Sequence, residues 1–292
     1  MKRILLIGSQ GQVGQELQYT LPELGEVIRV GRDQLDLSDG GKLRQIICET
    51  KPDCIVNAAA YTAVDKAESE IELANAINGT APQIMAEEAD KLGATFLHIS
   101  TDYVFDGQQN TPYLETDPTN PLGSYGNSKL IGEKLIQQVG GNSIILRTAW
   151  VYGTYGKGNF VKTMLRVGQE RSELKVVVDQ VGCPTWAKDI ADAIALLLLN
   201  SATPGIYHFT NSGAVSWYDF AQAIFDEAKL MGFSLNVKQV IPITTDQYPT
   251  PAIRPAYSVL GGQKITPILG TYPPYWRDSL KQMLKQLHSV TS

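Results

Sequence analysis

The feature that most constrains this chain is a series of five short β-rich runs that lack the polar alternation of half-exposed strands. The runs span residues 4–7, 27–30, 54–56, 95–99 and 144–146. Segments with helical spacing lie between them, at residues 12–19, 42–50, 70–92 and 124–139. Strands that are buried on both faces and separated by helices are typical of parallel sheets. The order therefore predicts an α/β fold with a doubly wound parallel sheet of the Rossmann type.

The pattern loosens beyond about residue 150, where prolines interrupt helical stretches such as 217–231 and 277–287. A length of 292 residues suits one core that carries an appended lobe. We expect residues 1–150, with segments that return from later in the chain, to form the Rossmann domain. About residues 151–292 are expected to form mainly a smaller, mixed α/β lobe that binds the substrate.

Charge and hydropathy exclude several classes of partner. The net charge of −5 argues against nucleic acid, because such binders need basic surface to displace counterions. The longest apolar run, 193–199, is far shorter than the ~20 residues that cross a bilayer, and the run at 4–7 is too short for a signal peptide. The three cysteines are too few and too scattered for a disulfide framework, and they include no CxxC pair that would suggest zinc. We expect a cytoplasmic protein.

A glycine-rich loop directly follows the first predicted strand. Gly8, Gly11 and Gly14 form a GxxGxxG motif that leads into a helix. Such glycines allow a tight turn and a close approach to a pyrophosphate, whose charge the helix N-terminus stabilises. An ordinary glycine-rich turn is the alternative, and the strand-loop-helix context favours a dinucleotide site.

The ends of the second and third strands add to this site. Gly31 leaves room for a 2′-phosphate and Arg32 can pair with one, which favours NADPH, with NADH as the alternative. A solvent-facing Arg32 beside Asp33 is the competing interpretation. Ala58 and Ala60 are small residues at the end of the third strand, where they let the chain pass close to a flat cofactor.

A candidate catalytic set combines a helix with a strand end. Tyr125 and Lys129 are spaced to lie on one helix face, where the ammonium lowers the pKa of the phenol. Thr101 follows the strand at 95–99, at the sheet edge where ligands bind, and can hydrogen-bond a substrate carbonyl. Each feature alone also has a structural interpretation. Tyr125 and Lys129 could be surface residues of a helix, and Thr101 could belong to an ordinary turn. Together with the glycine loop they predict a nicotinamide-dependent oxidoreductase.

Longer motifs carry a more specific resemblance. They are residues 57–68, the STDYVFDG run at 100–107, YGNSK from Tyr125, and residues 147–153 and 248–255. These motifs, spread over nearly the whole chain, resemble the dTDP-4-dehydrorhamnose reductase family of the extended short-chain dehydrogenases. The resemblance implies reduction of the C4 ketone of dTDP-4-dehydro-L-rhamnose to dTDP-L-rhamnose, which supplies an activated sugar for polysaccharide synthesis.

The resemblance also implies residue roles. Tyr125 would be the general acid, Lys129 would assist it and bind the nicotinamide ribose, and Thr101 would polarise the carbonyl. The residues expected to line the cofactor are Gly11, Gln12, Val13, Asp36, Leu37, Ala60, Tyr61 and Thr62. Those expected to touch the sugar nucleotide are Thr101, Asp102 and Trp150.

Further residues are assigned from their context. Arg254 lies in a proline-rich loop and is predicted to contact the anionic substrate, with a surface arginine as the alternative. Asp65 and Glu68 are spaced like a capping box and are predicted to start a helix. The three histidines, His98, His208 and His288, have no ligand spacing and are predicted to be structural.

Metal dependence, oligomeric state and rival activities complete the expectations. Some members of the resembled family hold magnesium between subunits; Glu16 fits such a site, but Lys188 stands where a second carboxylate is expected. Magnesium is therefore kept only as an alternative cofactor and no metal ligand is assigned. A monomer or a homodimer is predicted. A nucleotide-sugar dehydratase or epimerase is the nearest rival, but Tyr103 replaces the glutamate of the dehydratase acid pair. A non-catalytic subunit resembling the methionine adenosyltransferase partner is the other, and the intact Thr101, Tyr125 and Lys129 argue against it.

Overall fold

The computed structural model describes residues 1–291. The strands are β1 (Arg3–Ile7), β2 (Glu26–Val30), β3 (Cys54–Asn57), β4 (Thr95–Thr101), β5 (Ser143–Thr148), β6 (Val151–Tyr152), β7 (Glu173–Val177), β8 (Val181–Gly182), β9 (Thr185–Trp186), β10 (Gly205–His208), β11 (Val215–Ser216) and β12 (Gln239–Ile243). The helices are α1 (Gln12–Thr20), α2 (Gly40–Thr50), α3 (Val64–Ala67), α4 (Ile71–Asn75), α5 (Ala81–Leu92), α6 (Ser124–Val139), α7 (Phe160–Glu170), α8 (Ala187–Leu199), α9 (Trp217–Leu230), α10 (Thr266–Leu269) and α11 (Trp276–Thr291).

Six strands form one sheet in the order β10-β5-β4-β3-β1-β2, and every neighbouring pair is parallel. The predicted doubly wound sheet is confirmed. The chain winds outward from β1 in both directions, so the order switches between β1 and β3. Ligands of open α/β sheets bind beyond the carboxyl ends of the strands at such a switch point.

The sheet is buried on both faces, which explains why its strands show no polar alternation. Leu6 packs with α1 and α8 on one face, whereas its neighbour Leu5 packs with α2 and α5 on the other. Both leucines are fully buried. Side chains of successive residues point to opposite faces, so a strand between two helical layers is apolar throughout.

The second half of the chain contributes to two cores. Helices α7, α9 and α11 and the parallel pair β7 and β12 form a separate cluster around Phe220 and Trp276. Strand β10 instead returns to the large sheet and pairs with β5, while α8 covers one of its faces. The division at about residue 150 thus stays a prediction, with α8 and β10 as the segments that return.

The predicted helix at 70–92 is interrupted by one wider turn. Residues 76–80 form a π-helical segment between α4 and α5. Pro82 has no N–H to give to the carbonyl of Asn78 four residues earlier, which disfavours a regular helix there. That carbonyl instead lies close to Gly132 of α6, where a Cβ would come within 2.1 Å of it.

None of the helices within residues 1–291 is long and apolar enough to cross a membrane.

Candidate active site

The glycine loop after β1 leaves no room for side chains. Gly8 has a φ of +83°, and a Cβ there would lie 2.6 Å from the backbone nitrogen of Ala59, in the segment after β3. At Gly14 a Cβ would lie 2.0 Å from the Gly8 carbonyl oxygen. Gly11 precedes α1 in an extended conformation, and no side chain caps that helix. The helix N-terminus therefore offers uncapped N–H groups beside a backbone cradle, which suits a pyrophosphate.

The two residues that follow Gly11 begin α1. Val13 is buried in the core beneath the helix. Gln12 turns toward the second half of the chain, where its Oε1 accepts a 2.8 Å hydrogen bond from Asn159 Nδ2. The loop that precedes α7 is thereby held beside the glycine cradle.

At the end of β2, Asp33 is bound away from Arg32. Its Oδ1 accepts a 2.7 Å hydrogen bond from Gln10 Nε2. Arg32 is exposed, and its guanidinium makes no hydrogen bond or ion pair with the residues described, 1–291. Asp36 accepts bonds from the Ser38 backbone and hydroxyl, which lower its pKa, and Leu37 is half-buried beside it. The arginine is therefore available to an anion.

The segment after β3 is held by Asn78, a residue that the sequence analysis did not single out. Asn78 Oδ1 accepts from the Tyr61 N–H at 2.9 Å, and its Nδ2 donates to the Tyr61 carbonyl at 3.0 Å. Ala58 and Ala60 precede this clamp and are half-buried, and Thr62 follows it in an exposed position. Asn78 lies in the wider helical turn, and only its contacts to a distant residue indicate its role.

Thr101, Tyr125 and Lys129 meet where β4 ends beside α6. Lys129 is 1% exposed and its Nζ donates to the Ile99 carbonyl oxygen at 2.7 Å. Thr101 ends β4, and its hydroxyl donates to Asp102 Oδ1 at 3.0 Å. Tyr125 packs edge-on against Tyr103, with ring centroids 5.6 Å apart. The structure thus brings together the three residues that the sequence placed in one catalytic set.

Burial shifts the pKa values of this set in opposite directions. It raises the pKa of Tyr125 to about 12, although a hydrogen bond with Thr101 opposes the change. It lowers the pKa of Lys129 to about 8, against the nearby charge of Glu133. Both shifts favour the uncharged form. The expectation that the Lys129 ammonium lowers the pKa of Tyr125 is therefore wrong, because burial of the phenol dominates. Tyr125 is consequently a neutral phenol at physiological pH, which is the form that can donate a proton.

Asp102 has one carboxylate oxygen to spare. The side chain is 2% exposed, and its Oδ2 has no hydrogen-bond partner among residues 1–291. Burial raises the pKa of Asp102 to about 6, while the nearby hydroxyls of Ser258 and Thr101 oppose the shift. A buried unsatisfied oxygen next to Thr101 is suited to receive a donor from a bound ligand.

Trp150 is a half-buried aromatic beyond the end of β5. Its φ of +47° lies in the left-handed region that non-glycine residues seldom adopt. The ring stacks on Trp217 at a centroid distance of 3.4 Å and covers Gly182, where a Cβ would lie 2.5 Å from it. The strained backbone and the stack together present this indole in one orientation.

Arg254 is bound by a carboxylate. Its Nη1 and Nη2 contact Asp65 at 3.1 and 2.9 Å, and Nη1 also donates to Thr250 Oγ1. The Arg254 guanidinium holds the pKa of the Asp65 carboxyl below its usual range. The loop around Arg254 lines a cavity together with Tyr125 and Tyr103. The proline-rich loop is therefore fastened beside the candidate acid.

The predicted capping box at Asp65 and Glu68 is wrong. Helix α3 does begin there, but its cap residue is Ala63, which supplies no side-chain bond. Glu68 instead accepts hydrogen bonds from the backbone and hydroxyl of Ser124, at 2.8 and 3.0 Å. Glu68 thus caps α6, the helix that carries Tyr125. Long-range pairing of this kind leaves no local signal in the sequence.

Glu16 lies among charged residues of α8. Burial raises its pKa to about 7, against the attraction of Lys188, while Asp192 and Asp189 add to the rise. Lys188 forms a 2.5 Å ion pair with Asp192. Within residues 1–291, no group of three or more histidine, cysteine or acidic side chains is arranged to hold a metal ion.

Comparisons with known proteins agree along the whole chain. The sequence profile described as "RmlD substrate binding domain" matches residues 1–289. The dTDP-4-dehydrorhamnose reductase of Burkholderia thailandensis is 44% identical over 297 residues, covering 98% of this chain and 99% of that protein. The spore coat polysaccharide biosynthesis protein SpsK of Bacillus subtilis is 42% identical over 291 residues, with 99% of each chain covered.

Solved structures agree as well. The dTDP-4-dehydrorhamnose reductase from Clostridium acetobutylicum superposes with a TM-score of 0.91 at 39% identity, covering 98% of this chain and 99% of that one. The enzyme of the same name from Bacillus anthracis, solved in complex with NADP, also gives 0.91, at 36% identity and the same coverage. The resemblance seen in the motifs is confirmed, and the chain belongs to the dTDP-4-dehydrorhamnose reductase family, described by the RmlD substrate binding domain.

Proposed function

We propose that this protein is an NADPH-dependent dTDP-4-dehydrorhamnose reductase, which reduces the C4 ketone of dTDP-4-dehydro-L-rhamnose to dTDP-L-rhamnose. One observation carries the proposal: Thr101, Tyr125 and Lys129 meet at the carboxyl end of β4, beside a glycine cradle that a Cβ would fill. End-to-end relatives that are named for this activity support the same reaction.

The proton is the part of the reaction that this chain's own residues supply. A bound nicotinamide dinucleotide supplies the hydride. Tyr125 donates its phenolic proton to the oxygen that develops negative charge, and such proton transfer contributes roughly 10²–10⁴ in rate. Thr101 holds that oxygen by turning its one hydroxyl proton from Asp102 Oδ1 to the substrate. An ammonium at Lys129 stabilises the phenolate that Tyr125 leaves behind.

The preference for NADPH rests on the end of β2. Arg32 is exposed there, and Gln10 holds Asp33. The space over Gly31 is not open, because a Cβ there would lie 2.5 Å from Asp33 Oδ1 and 2.7 Å from Gln10 Nε2. The preference therefore rests on Arg32, and a bound 2′-phosphate has to displace the Gln10–Asp33 pair. Gly11, Gln12 and Val13 at the cradle, Asp36 and Leu37 near the adenine, and Ala58, Ala60, Tyr61 and Thr62 after β3 complete the proposed cofactor site.

The nucleotide sugar is proposed to bind between the strand ends and the second half of the chain. Asp102 offers its unsatisfied Oδ2 to a sugar hydroxyl. Trp150 is held between Trp217 and Gly182 and offers the edge of its indole. Arg254 remains our candidate for the diphosphate. Because Asp65 engages both of its Nη atoms, the contact would use Nε or the outer edge of the ion pair.

The test is NADPH oxidation measured against a panel of keto deoxysugar nucleotides, with product analysis. We expect turnover with dTDP-4-dehydro-L-rhamnose, and a preference for NADPH over NADH that shrinks in Arg32→Ala. A charge-assisted contact of about 1.5–3 kcal/mol corresponds to roughly tenfold to hundredfold discrimination. No oxidation with any ketone would overturn the proposal. Elimination of water instead of reduction would favour the dehydratase.

A further inference from the structure

A chain of three buried polar side chains runs from β3 through β4 to α6. Asn57 and His98 are fully buried and Lys129 is 1% exposed. Asn57 Nδ2 lies 3.0 Å from His98 Nδ1, and His98 Nε2 lies 3.1 Å from Lys129 Nζ. The histidine therefore joins Asn57 to the lysine.

A backbone N–H group fixes the direction of the hydrogen bonds between these three side chains. Asn57 Oδ1 accepts a 3.1 Å hydrogen bond from the N–H of Ala59, so the amide must turn its NH₂ group toward His98. A donor facing Nδ1 requires a lone pair on that nitrogen. A neutral imidazole then carries its proton on Nε2, which is the nitrogen that faces Lys129.

The imidazole is neutral because of where it lies. Burial lowers the pKa of His98 well below its ordinary value, and the charge of Lys129 lowers it further. An Nε2–H group and an ammonium are both donors, so they oppose each other across 3.1 Å. An uncharged amine has a lone pair and accepts the bond.

We propose that His98 is a positioning residue for Lys129: oriented by Asn57, it directs Nε2–H at Nζ and favours the uncharged amine over the ammonium. The structural role predicted for the histidines from sequence is thus extended at this one position. The consequence for turnover rests on the proposed reductase function, whereas the hydrogen-bond direction does not.

Other charges around the lysine act differently. Glu133 lies one turn further along α6 and raises the pKa of Lys129, but it is already paired with Arg147 of β5. On the strand side, Asp102 acts on Tyr125 and raises the pKa of that phenol. Burial already lowers the pKa of Lys129 to about 8, and the donor that His98 directs at Nζ acts in the same direction, close to the candidate acid.

The first experiment needs no variant. Long-range ¹H–¹⁵N correlation spectra of the full chain, without cofactor, report which ring nitrogen of His98 carries the proton. We expect a protonated Nε2 and a bare Nδ1. A proton on Nδ1, or an imidazolium near pH 7, would overturn the proposal.

The second experiment reverses the direction of the hydrogen bonds that link Asn57, His98 and Lys129. Asn57→Asp is nearly isosteric but can only accept, so His98 turns an Nδ1 proton toward it and offers Nε2 to an ammonium. The new carboxylate also attracts that ammonium by its charge, so the shift is read together with His98→Gln, which adds no charge. His98→Gln can likewise turn its oxygen toward Nζ. In ¹³C-lysine-labelled protein, with the Lys129 signal assigned from Lys129→Met, we expect either change to raise the Lys129 midpoint by about one pH unit, a tenfold change in proton affinity.

His208→Gln is the matched control, since it alters another fully buried histidine, which hydrogen-bonds Arg147 and the Tyr113 carbonyl rather than Lys129. In active variants, the high-pH fall of kcat/KM should move upward with the Lys129 midpoint. Identical midpoints in wild type, Asn57→Asp and His98→Gln would overturn the role of His98. Absence of ketone reduction would overturn the reductase alone, because both NMR experiments are done without substrate.

Discussion

The half-buried phenol of Tyr125 is kept protonated, so its role as the proton donor can be tested with a single substitution. Tyr125→Phe keeps the ring that packs against Tyr103 but removes the proton. We expect turnover to fall by roughly 10²–10⁴, while the dissociation constant for NADPH, measured by fluorescence, changes little. Near-normal turnover in this variant would exclude Tyr125 as the acid.

Variants of Arg254 and Asp65 distinguish two roles of Arg254, namely contact with the substrate and stabilisation of the proline-rich loop. Arg254→Ala removes both the proposed substrate contact and the ion pair that holds the loop, whereas Asp65→Asn keeps the guanidinium and removes its charged partner. If Arg254 contacts the diphosphate, Arg254→Ala raises KM for the sugar nucleotide more than it lowers kcat, and Asp65→Asn does so much less. Equal losses in the two variants would show that the ion pair only fastens the loop.

At the scale of elements, the helix that follows β1 depends on the absence of a side chain at Gly14. A Cβ there would lie 2.0 Å from the Gly8 carbonyl oxygen, so Gly14→Ala must displace the loop or the helix. We expect a loss of about 1–3 kcal/mol in the free energy of unfolding, together with weaker NADPH binding.

Gly262→Ala is the control for that prediction, because a Cβ at Gly262 meets nothing within 4 Å. Chemical denaturation of the two variants measures the comparison. Unchanged stability and NADPH affinity in Gly14→Ala would mean that the loop tolerates a side chain, and the cradle would lose its main support.

Elements differed in how well the sequence predicted them. Strands such as β1 and β3 lie between two helical layers, so their unbroken apolar runs identified them. The two-residue strands β6, β8, β9 and β11 are too short for any periodicity. Tyr125, Lys129 and Thr101 followed from spacing along one helix and one strand end. Asn78 and Glu68 did not, because their partners lie 17 and 56 residues away in sequence.

At the scale of the whole molecule, a buried ion pair connects the catalytic helix to the sheet. Arg147 of β5 is 2% exposed and Glu133 of α6 is 1% exposed, with Nη2 and Oε2 2.6 Å apart. His208 of β10 also contacts this arginine, at 3.3 Å. Glu133→Gln would leave a buried cation without its counter-charge, and we expect a loss of about 3–5 kcal/mol in unfolding free energy.

The exposed pair of Arg166 and Glu170 provides the control. Glu170→Gln should change stability by no more than about 0.5 kcal/mol, since solvent screens such pairs. Thermal and urea denaturation distinguish the two variants. Equal effects would mean that the buried pair contributes no more than a surface one.

The return of β10 to the sheet has a consequence for synthesis on the ribosome. Strand β5 is finished at Thr148, yet the strand that pairs with its outer edge begins only at Gly205. Because the ribosome adds about 5–20 residues per second, the N–H and C=O groups along that edge stay unpaired for several seconds. During this interval the nascent chain is open to strand addition by other polypeptides, and a pause between these positions would lengthen the exposure.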